Sequence, residues 1–258
     1  MNIVGLPALV GTYDNYIWII HDNYQAWVVD PGESKQVIDY LTENHLTLKG
    51  ILITHQHFDH IDGIDTLLEF APQTIVYGPK KIKHPAIQIA CKEGDTLKLN
   101  KDLEFKVLEI PGHTKDHIAF YNDELLFCGD TLFTAGCGRI LGGTAEQFSE
   151  SILKLRSLPD HLQFFCGHEY TQTNLTFSQL VEPENQALQK RIAQTNIIYP
   201  SIHQGAQSTL GEEKETNPFL RFDTPALQAK LIQRGASSSN SSLFSALRAW
   251  KDEFDRTH

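Results

Sequence analysis

Residues 51–60 read ILITHQHFDH and place three histidines and an aspartate directly behind an apolar run. If the chain stays extended through His55 and His57, both side chains point the same way, because the side-chain period of a strand is two. Asp59 and His60 stand where the next segment, DHIDGIDTLLEF, becomes helical in pattern, so their side chains leave in a new direction. Imidazole and carboxylate groups together suit zinc, iron or manganese. The segment therefore predicts a metal site at a strand end, with space for a second metal nearby.

Further candidate ligands follow downstream, each behind an apolar strand and close to a glycine. His113 lies in PGHTKDH, Asp130 in LLFCGDT and His168 in FFCGHEY. Strand-end loops at one edge of a sheet can converge, so we expect these residues to join the first four. His117 begins a strand, and we expect it to support the site or the fold. The remaining histidines have no such setting and are predicted to be surface or packing residues: His21, His45, His84, His161, His203 and His258.

Composition and charge exclude several classes of protein. The chain has 258 residues, 41% of them hydrophobic, and a formal charge of −10 from 22 basic and 32 acidic residues. That balance argues against a nucleic-acid partner, whose phosphates need a basic surface. The longest apolar runs fall short of the roughly 18–20 residues that cross a bilayer, so we expect no membrane association. The N-terminal segment lacks a basic start and a clear cleavage site, which favours a cytoplasmic protein with four free, structural cysteines.

The pattern of predicted secondary structure changes near residue 170. Before that point, helical patterns alternate with the β-like runs YIWII, AWVVD, GILIT, TIVYG, LEFKVLEI, HIAFYN and ELLFCGD, which predicts a layered α/β (α+β) architecture. After it, no convincing strand appears, and PENQALQKRIAQTN and PALQAKLIQRG look helical. The clearest helix is the last, where Leu243, Leu247, Trp250 and Phe254 recur on one face.

The four motifs T-H-x-H-x-D-H, G-H-T, G-D-T and G-H-E, in this order, resemble those of the metallo-β-lactamase superfamily. The closer resemblance, over nearly the whole chain, is to the glyoxalase II or hydroxyacylglutathione hydrolase family. It rests on TYDNY, DPGE, GDTLFTAGCGR, GHEYT, NPFLR and the terminal LRAWKDEF. The resemblance implies an αββα sandwich as catalytic domain over residues 1–169 and a helical substrate-binding domain over residues 170–258.

The resemblance also implies a binuclear site. One metal takes His55, His57 and His113, the other takes Asp59, His60 and His168, and Asp130 bridges them together with a hydroxide. Asp59 and Asp130 are then catalytic as well as metal-binding. Two divalent ions are implied, zinc before iron or manganese. The implied reaction is attack of the bridging hydroxide on S-D-lactoylglutathione, giving D-lactate and glutathione in the last step of methylglyoxal detoxification.

Residues for binding glutathione are implied by the same resemblance. Arg248 and Lys251, three apart on the last helix, match a basic pair that binds the glycine carboxylate. Arg139 and Tyr170 match two further positions in the same pocket. The sequence departs from the family where Leu141 and Gly142 replace an aromatic residue and a glutamate, and where Asp116 replaces a glycine.

Other functions stay open at this level. A lactonase, a β-lactamase or a one-iron glutathione persulfide dioxygenase could share the fold, although a dioxygenase would not need the second set of ligands. The negative net charge of the chain argues against an RNA nuclease. A non-enzymatic relative would be expected to have lost some of the metal-ligand residues. We expect a monomer acting on a small-molecule glutathione thioester.

Overall fold

The computed structural model describes residues 1–195 and 208–257, and these contain two six-stranded sheets and a short hairpin. All seven predicted β-like runs fall in strands. The strands are β1 Asn2–Ala8, β2 Asn15–His21, β3 Gln25–Val29, β4 Thr47–Leu52, β5 Ile75–Pro79, β6 Ile89–Cys91, β7 Thr96–Lys98, β8 Glu104–Glu109, β9 Ile118–Tyr121, β10 Leu125–Gly129, β11 Leu132–Phe133, β12 Gly136–Cys137, β13 Gln163–Cys166 and β14 Ser208–Thr209. The run of β1 was not predicted, since it carries Gly5 and Pro7, which are poor strand formers.

The helices occupy the outer layers and most of the C-terminal region. They are α1 Lys35–Glu43, α2 Phe58–Ile61, α3 Ile64–Phe70, α4 Ala145–Arg156, α5 Thr171–Val181, α6 Gln186–Gln194, α7 Leu210–Thr216, α8 Pro225–Gln233 and α9 Asn240–Phe254. The helix predicted over residues 59–70 is divided into α2 and α3. The break is at Asp62 and Gly63, where the Gly63 amide bonds to the carbonyl of Pro31.

Each sheet mixes parallel and antiparallel neighbours. The first has the order β1-β2-β3-β4-β5-β6, with antiparallel pairing up to β3 and parallel pairing from β3 to β6. The second has the order β14-β13-β10-β9-β8-β7, and its single parallel pair is β10 with β13. The helical region predicted after residue 170 is confirmed, and it also contains the strand β14, which was not predicted. Its two residues are too few for a sequence pattern to reveal.

Three apolar layers hold the sheets and helices together. Between the sheets lies a cluster that includes Trp18, Trp27, Phe105 and Phe127. The outer face of the first sheet packs on α1 and α3, and that of the second packs on α4, α5 and α9. Strands covered on both faces explain why so many runs are continuously apolar. The order helix, sheet, sheet, helix confirms the predicted αββα sandwich.

The C-terminal region packs directly on the second sheet. Helix α9 starts at the cap Ser239, whose hydroxyl accepts from the Ser242 amide, and it contacts α4. Leu243, Leu247 and Phe254 are buried as predicted, while Trp250 is partly exposed. In the described part of the chain, no helix is long and apolar enough to cross a membrane. All four cysteines are buried and unpaired, as predicted.

Candidate active site

The seven predicted ligand residues meet at one edge of the sandwich, where several strands end. His55 and His57 follow β4, with Asp59 and His60 in α2. The other three come from the second sheet, after β8, β10 and β13: His113, Asp130 and His168. Strand β4 ends at Leu52, so the loop after the strand, and not the strand itself, turns His55 and His57 to the same side.

The first group comprises His55, His57, His113 and Asp130. The Nδ1 atom of His57 lies 3.1 Å from Nε2 of His55 and 3.0 Å from Nε2 of His113. Oδ2 of Asp130 is 3.4 Å from Nε2 of His113 and 3.9 Å from Nε2 of His55. Donor atoms about 2.0–2.2 Å from a tetrahedral ion lie roughly 3.3–3.6 Å apart, so this spacing fits a metal.

The second group comprises Asp59, His60 and His168. Oδ2 of Asp59 lies 3.4 Å from Nε2 of His60 and 3.5 Å from Nε2 of His168. Asp130 reaches this group as well, with Oδ1 at 3.4 Å from His60 and Oδ2 at 3.0 Å from His168. The carboxylate of Asp130 therefore stands between the two groups, in contact with both.

In four of the histidines, Nδ1 forms a hydrogen bond with a group outside the cluster, which fixes the orientation of the ring. Nδ1 of His113 donates to the carbonyl of Arg139 and Nδ1 of His168 donates to the carbonyl of Tyr13, both at 2.7 Å. Because carbonyl oxygens only accept, each Nδ1 carries a proton, and each Nε2 is the ring nitrogen that faces the cluster. His55 and His60 are held in the same sense by their Nδ1 contacts with side chains behind them. This arrangement of outer partners is typical of metal-bound histidine.

The charge balance of the cluster also fits a cation. Burial would lower the pKa of His60, but the carboxylates of Asp130, Asp30 and Asp59 outweigh it and raise that pKa well above its usual value. Burial would raise the pKa of Asp130, but His168 and His60 hold it well below its usual value. Buried Oδ1 of Asp130 has no hydrogen-bond partner among the described residues. The cluster therefore requires positive charge and offers a spare acceptor, which a divalent metal ion would supply and use.

A cavity of about 680 Å³ opens over the cluster. Its wall near the cluster includes His57, Asp59, His113, Asp130 and His168, and its far end is formed by α9 and the loop after β12. The four residues predicted to bind substrate all line this cavity: Arg139, Tyr170, Arg248 and Lys251. One cavity thus joins a candidate metal centre to a group of basic side chains.

Two family models match the chain in succession. The model described as the metallo-beta-lactamase superfamily matches residues 10–168, and the one described as the hydroxyacylglutathione hydrolase C-terminus matches residues 169–254. A hydroxyacylglutathione hydrolase of Hydrogenovibrio crunogenus is 48% identical over 269 residues, which cover 100% of this chain and 97% of that protein. One from Vibrio parahaemolyticus is 44% identical, over 98% of this chain and 100% of that protein. The chain belongs to the hydroxyacylglutathione hydrolase family.

Solved structures show the same fold at lower identity. ETHE1 from Myxococcus xanthus superposes with a TM-score of 0.66 at 24% identity, over 97% of this chain and 98% of that one. The BLEG-1 B3 metallo-beta-lactamase superposes with a TM-score of 0.62 at 23% identity, over 85% of this chain and 99% of that one. These likenesses confirm the metallo-β-lactamase fold.

Tyr170, Leu141 and Asp116 have three different surroundings. Tyr170 stacks its ring on His168, with centroids 4.9 Å apart, and its hydroxyl donates to the carbonyl of Tyr13. Burial raises the pKa of Tyr170 well above its usual value, so the phenol stays neutral. Leu141 is 63% exposed, lines the cavity and offers only apolar surface there. Asp116 is buried, and its Oδ2 has no hydrogen-bond partner in the described ranges.

Asp30 is a site residue that the sequence reasoning missed. Its Oδ2 accepts from His60 Nδ1 at 3.1 Å and from the Thr54 hydroxyl at 2.6 Å. The Thr54 hydroxyl in turn accepts from His55 Nδ1 at 3.0 Å, and Oδ1 of Asp30 accepts from the Thr54 amide. One carboxylate therefore orients a histidine of each group. The available signal was its position directly after the apolar run AWVV, the same setting as the predicted ligands.

Asn15, His117 and Gly32 support the cluster from other sides. The Asn15 amide donates to Oδ2 of Asp59 at 3.0 Å and to the Asp59 carbonyl. His117, expected to be supporting or structural, accepts the Asp130 amide on Nε2 at 3.0 Å and stacks on His55. Gly32 lies so close to α2 that a Cβ there would be 1.8 Å from the Asp59 carbonyl.

The other predicted packing histidines lie away from the cluster. His21 is buried against Tyr40, His84 is partly exposed, and His45 and His161 are exposed. His203 and His258 lie outside the described residues.

Proposed function

We propose that this protein is a glyoxalase II, a thioesterase that hydrolyses S-D-lactoylglutathione to D-lactate and glutathione and so completes glutathione-dependent removal of methylglyoxal. The observation that carries the proposal is the single cavity described above. A glutathione thioester has a reactive carbonyl in its middle and a carboxylate at its glycine end. The proposal is supported by the lining of this cavity, which includes both the His/Asp cluster and the basic side chains.

The metal assignment is part of the proposal. His55, His57 and His113 would hold one divalent ion, Asp59, His60 and His168 a second, and Asp130 would bridge them. We propose zinc in both positions, in a monomeric, cytoplasmic enzyme. The ions would activate water at neutral pH and polarise the thioester carbonyl. The close spacing of the donor atoms and the fixed Nδ1–H tautomers support this division of ligands.

The side chains around the cavity would bind the substrate's carboxylate and fix the geometry of the cluster. Arg248 and Lys251 receive the glycine carboxylate, with Arg139 at the more exposed rim. Tyr170 forms an apolar wall beside the cluster, because its hydroxyl is already bound to the Tyr13 carbonyl. Asp59 and Asp130 hold negative charge within the cluster and set the geometry of both groups. We propose residues 1–169 as the catalytic part and residues 170–258 as the part that recognises glutathione.

A cysteine nucleophile fits the site poorly. Cys137 is the cysteine that lines the cavity, and burial raises the pKa of its thiol to about 11. Burial raises the pKa of Cys166 to about 12 and that of Cys128 well above its usual value. Buried thiols that stay protonated do not attack thioesters.

The test is loss of thioester with purified, metal-loaded protein and S-D-lactoylglutathione as substrate. We expect turnover that a chelator abolishes and that added zinc restores. Asp130→Ala should abolish turnover while the fold persists. The same preparation is assayed for the alternative functions. Hydrolysis of a lactone tests for a lactonase and hydrolysis of a β-lactam for a β-lactamase. Oxygen consumption with glutathione persulfide tests for a dioxygenase. An intact thioester in the presence of bound metal would refute the proposal.

A further inference from the structure

The basic end of the cavity already contains a carboxylate. Asp255, 16% exposed in its side chain, lines the cavity beside the three cationic residues. One of its oxygens, Oδ1, forms an ion pair with Lys251. The other, Oδ2, lies 3.4 Å from Nη2 of Arg248 and 3.8 Å from Nη2 of Arg139. A single side chain thus pairs with the three Lys and Arg residues that line the cavity in the described part of the chain.

The guanidinium of Arg248 has protein acceptors on each of its nitrogens. Nε donates to Asp252 at 3.1 Å, and Nη1 donates to the carbonyls of Cys137 at 2.8 Å and Gly138 at 3.5 Å. Nη2 lies 3.0 Å from Asp252 and 3.4 Å from Asp255. Since Arg248 is buried, a ligand carboxylate can bind only by replacing one of these acceptors. The Cys137 carbonyl is fixed in the β11–β12 hairpin. The two aspartate side chains are the acceptors that can move.

Of the two aspartates, Asp255 is the one placed as a ligand would be. Asp252 is 41% exposed in its side chain and binds Arg248 from the solvent side, whereas Asp255 is enclosed by the cations. Asp255 also caps the C-terminal end of α9, where the helix dipole disfavours a negative charge. Its carboxylate is therefore held at that point by the three cations and not by the helix.

We propose that Asp255 is an internal competitor for carboxylate ligands, which fills the anion-binding position of Arg139, Arg248 and Lys251 until the substrate's carboxylate displaces it. The inference rests on the proposed function, because it takes the ligand to be a glutathione thioester. Displacement makes Asp255 a specificity-determining residue. A ligand with a carboxylate replaces the ion pairs that it breaks, and a ligand without one cannot.

The test is the isosteric variant Asp255→Asn in the full-length, metal-loaded enzyme. The KM for S-D-lactoylglutathione should fall about fivefold, the size of one partly screened charge pair, with kcat unchanged within about twofold. Binding of S-methylglutathione, which is not hydrolysed, should tighten by the same factor in calorimetry. The gain should disappear for the glycinamide analogue of S-methylglutathione, which lacks the glycine carboxylate and keeps only the γ-glutamyl one. Asp255→Ser should act in the same direction.

The matched control is Glu253→Gln, which removes the same charge from the same helix. Glu253 pairs with Arg234 away from the cavity, so KM should not change. An unchanged KM in Asp255→Asn would overturn the inference. A raised KM would also overturn it, because Asp255 would then be orienting Arg248 and Lys251 for the ligand. Either result leaves thioester hydrolysis by the wild type intact. A wild type that fails to hydrolyse the thioester would instead overturn the proposed function and this inference with it.

Discussion

Asp30→Asn is the substitution that most directly tests how the metal centre is held. Asparagine has the same shape as aspartate and tolerates the left-handed backbone of residue 30, where φ is +52°. The substitution therefore keeps the shape of the side chain and replaces one accepting oxygen by an NH₂ group that donates. Three donors point at the Asp30 carboxylate: the Thr54 amide, the Thr54 hydroxyl and His60 Nδ1. Whichever way the new amide turns, its NH₂ group faces at least one of those donors.

The expected effect reaches both ligand groups. His60 loses its acceptor directly, and His55 loses its orientation because the Thr54 hydroxyl that receives its Nδ1–H is no longer fixed by Asp30. Loss of such an outer partner typically costs about 10–100-fold in metal affinity. The unpaired buried donor should also lower the free energy of unfolding of the metal-free protein by about 1–3 kcal/mol.

The assay is metal content after equilibration at graded free zinc concentrations, with thermal unfolding of the metal-free form alongside. Asp22→Asn is the control, since Asp22 accepts two backbone amides through one oxygen in an exposed turn and an asparagine can do the same. If Asp30→Asn folds and binds zinc as tightly as the wild type, then Asp30 does not orient the ligands, and the reasoning is wrong.

Three further predictions concern the charged residues Arg248, Arg191 and Asp223. Arg248→Ala should raise KM for the thioester by about 10–100-fold with little change in kcat, because the proposed role of Arg248 is a charged hydrogen bond to the substrate's carboxylate. A fall confined to kcat would contradict that role. Arg191→Met should lower the free energy of unfolding by about 3–5 kcal/mol in denaturant titrations, since it leaves the fully buried Glu213 without its charge partner, and a loss near zero would contradict this. The hydrogen bond from Arg156 lowers the pKa of Asp223, so the pair's stabilisation is present above the ordinary pKa of 3.8 and is lost as pH falls through the lowered value. Asp223→Asn should therefore reduce the melting temperature slightly at pH 7 and by less at about pH 3, and an equal reduction at both would exclude linkage.

The sequence predicted which residues would come together in the cluster, and the reason is physical. Each follows an apolar strand, and the ends of neighbouring strands meet at one edge of the sandwich, so local patterns were enough to collect His113, Asp130 and His168. The basic pair on α9 was predictable in the same way, because a spacing of three places Arg248 and Lys251 on one side of a helix.

What the sequence did not predict depends on contacts between distant segments. Asn15 and Asp59, which form a hydrogen bond, are 44 positions apart in the sequence. Thr54, a partner of Asp30, lies 24 positions from it. No periodicity encodes such pairs. The pairing of Asp255 with the three cations also depends on how α9 docks against the loop after β12. The break between α2 and α3 had the same origin, since it follows from a backbone bond to Pro31.

The apolar layer beneath the second sheet has a consequence for how the enzyme can be divided. Its members come from both sides of residue 170, with Leu126 and Phe164 on one side and Phe177, Leu220 and Phe244 on the other. Buried Glu213 adds a polar link, because it accepts from the amide of Ala135 in the hairpin beside the cluster. The two segments matched by separate family models therefore share one interior. A fragment ending at residue 169 would expose that interior to water, so we expect the two segments to unfold together as one cooperative unit.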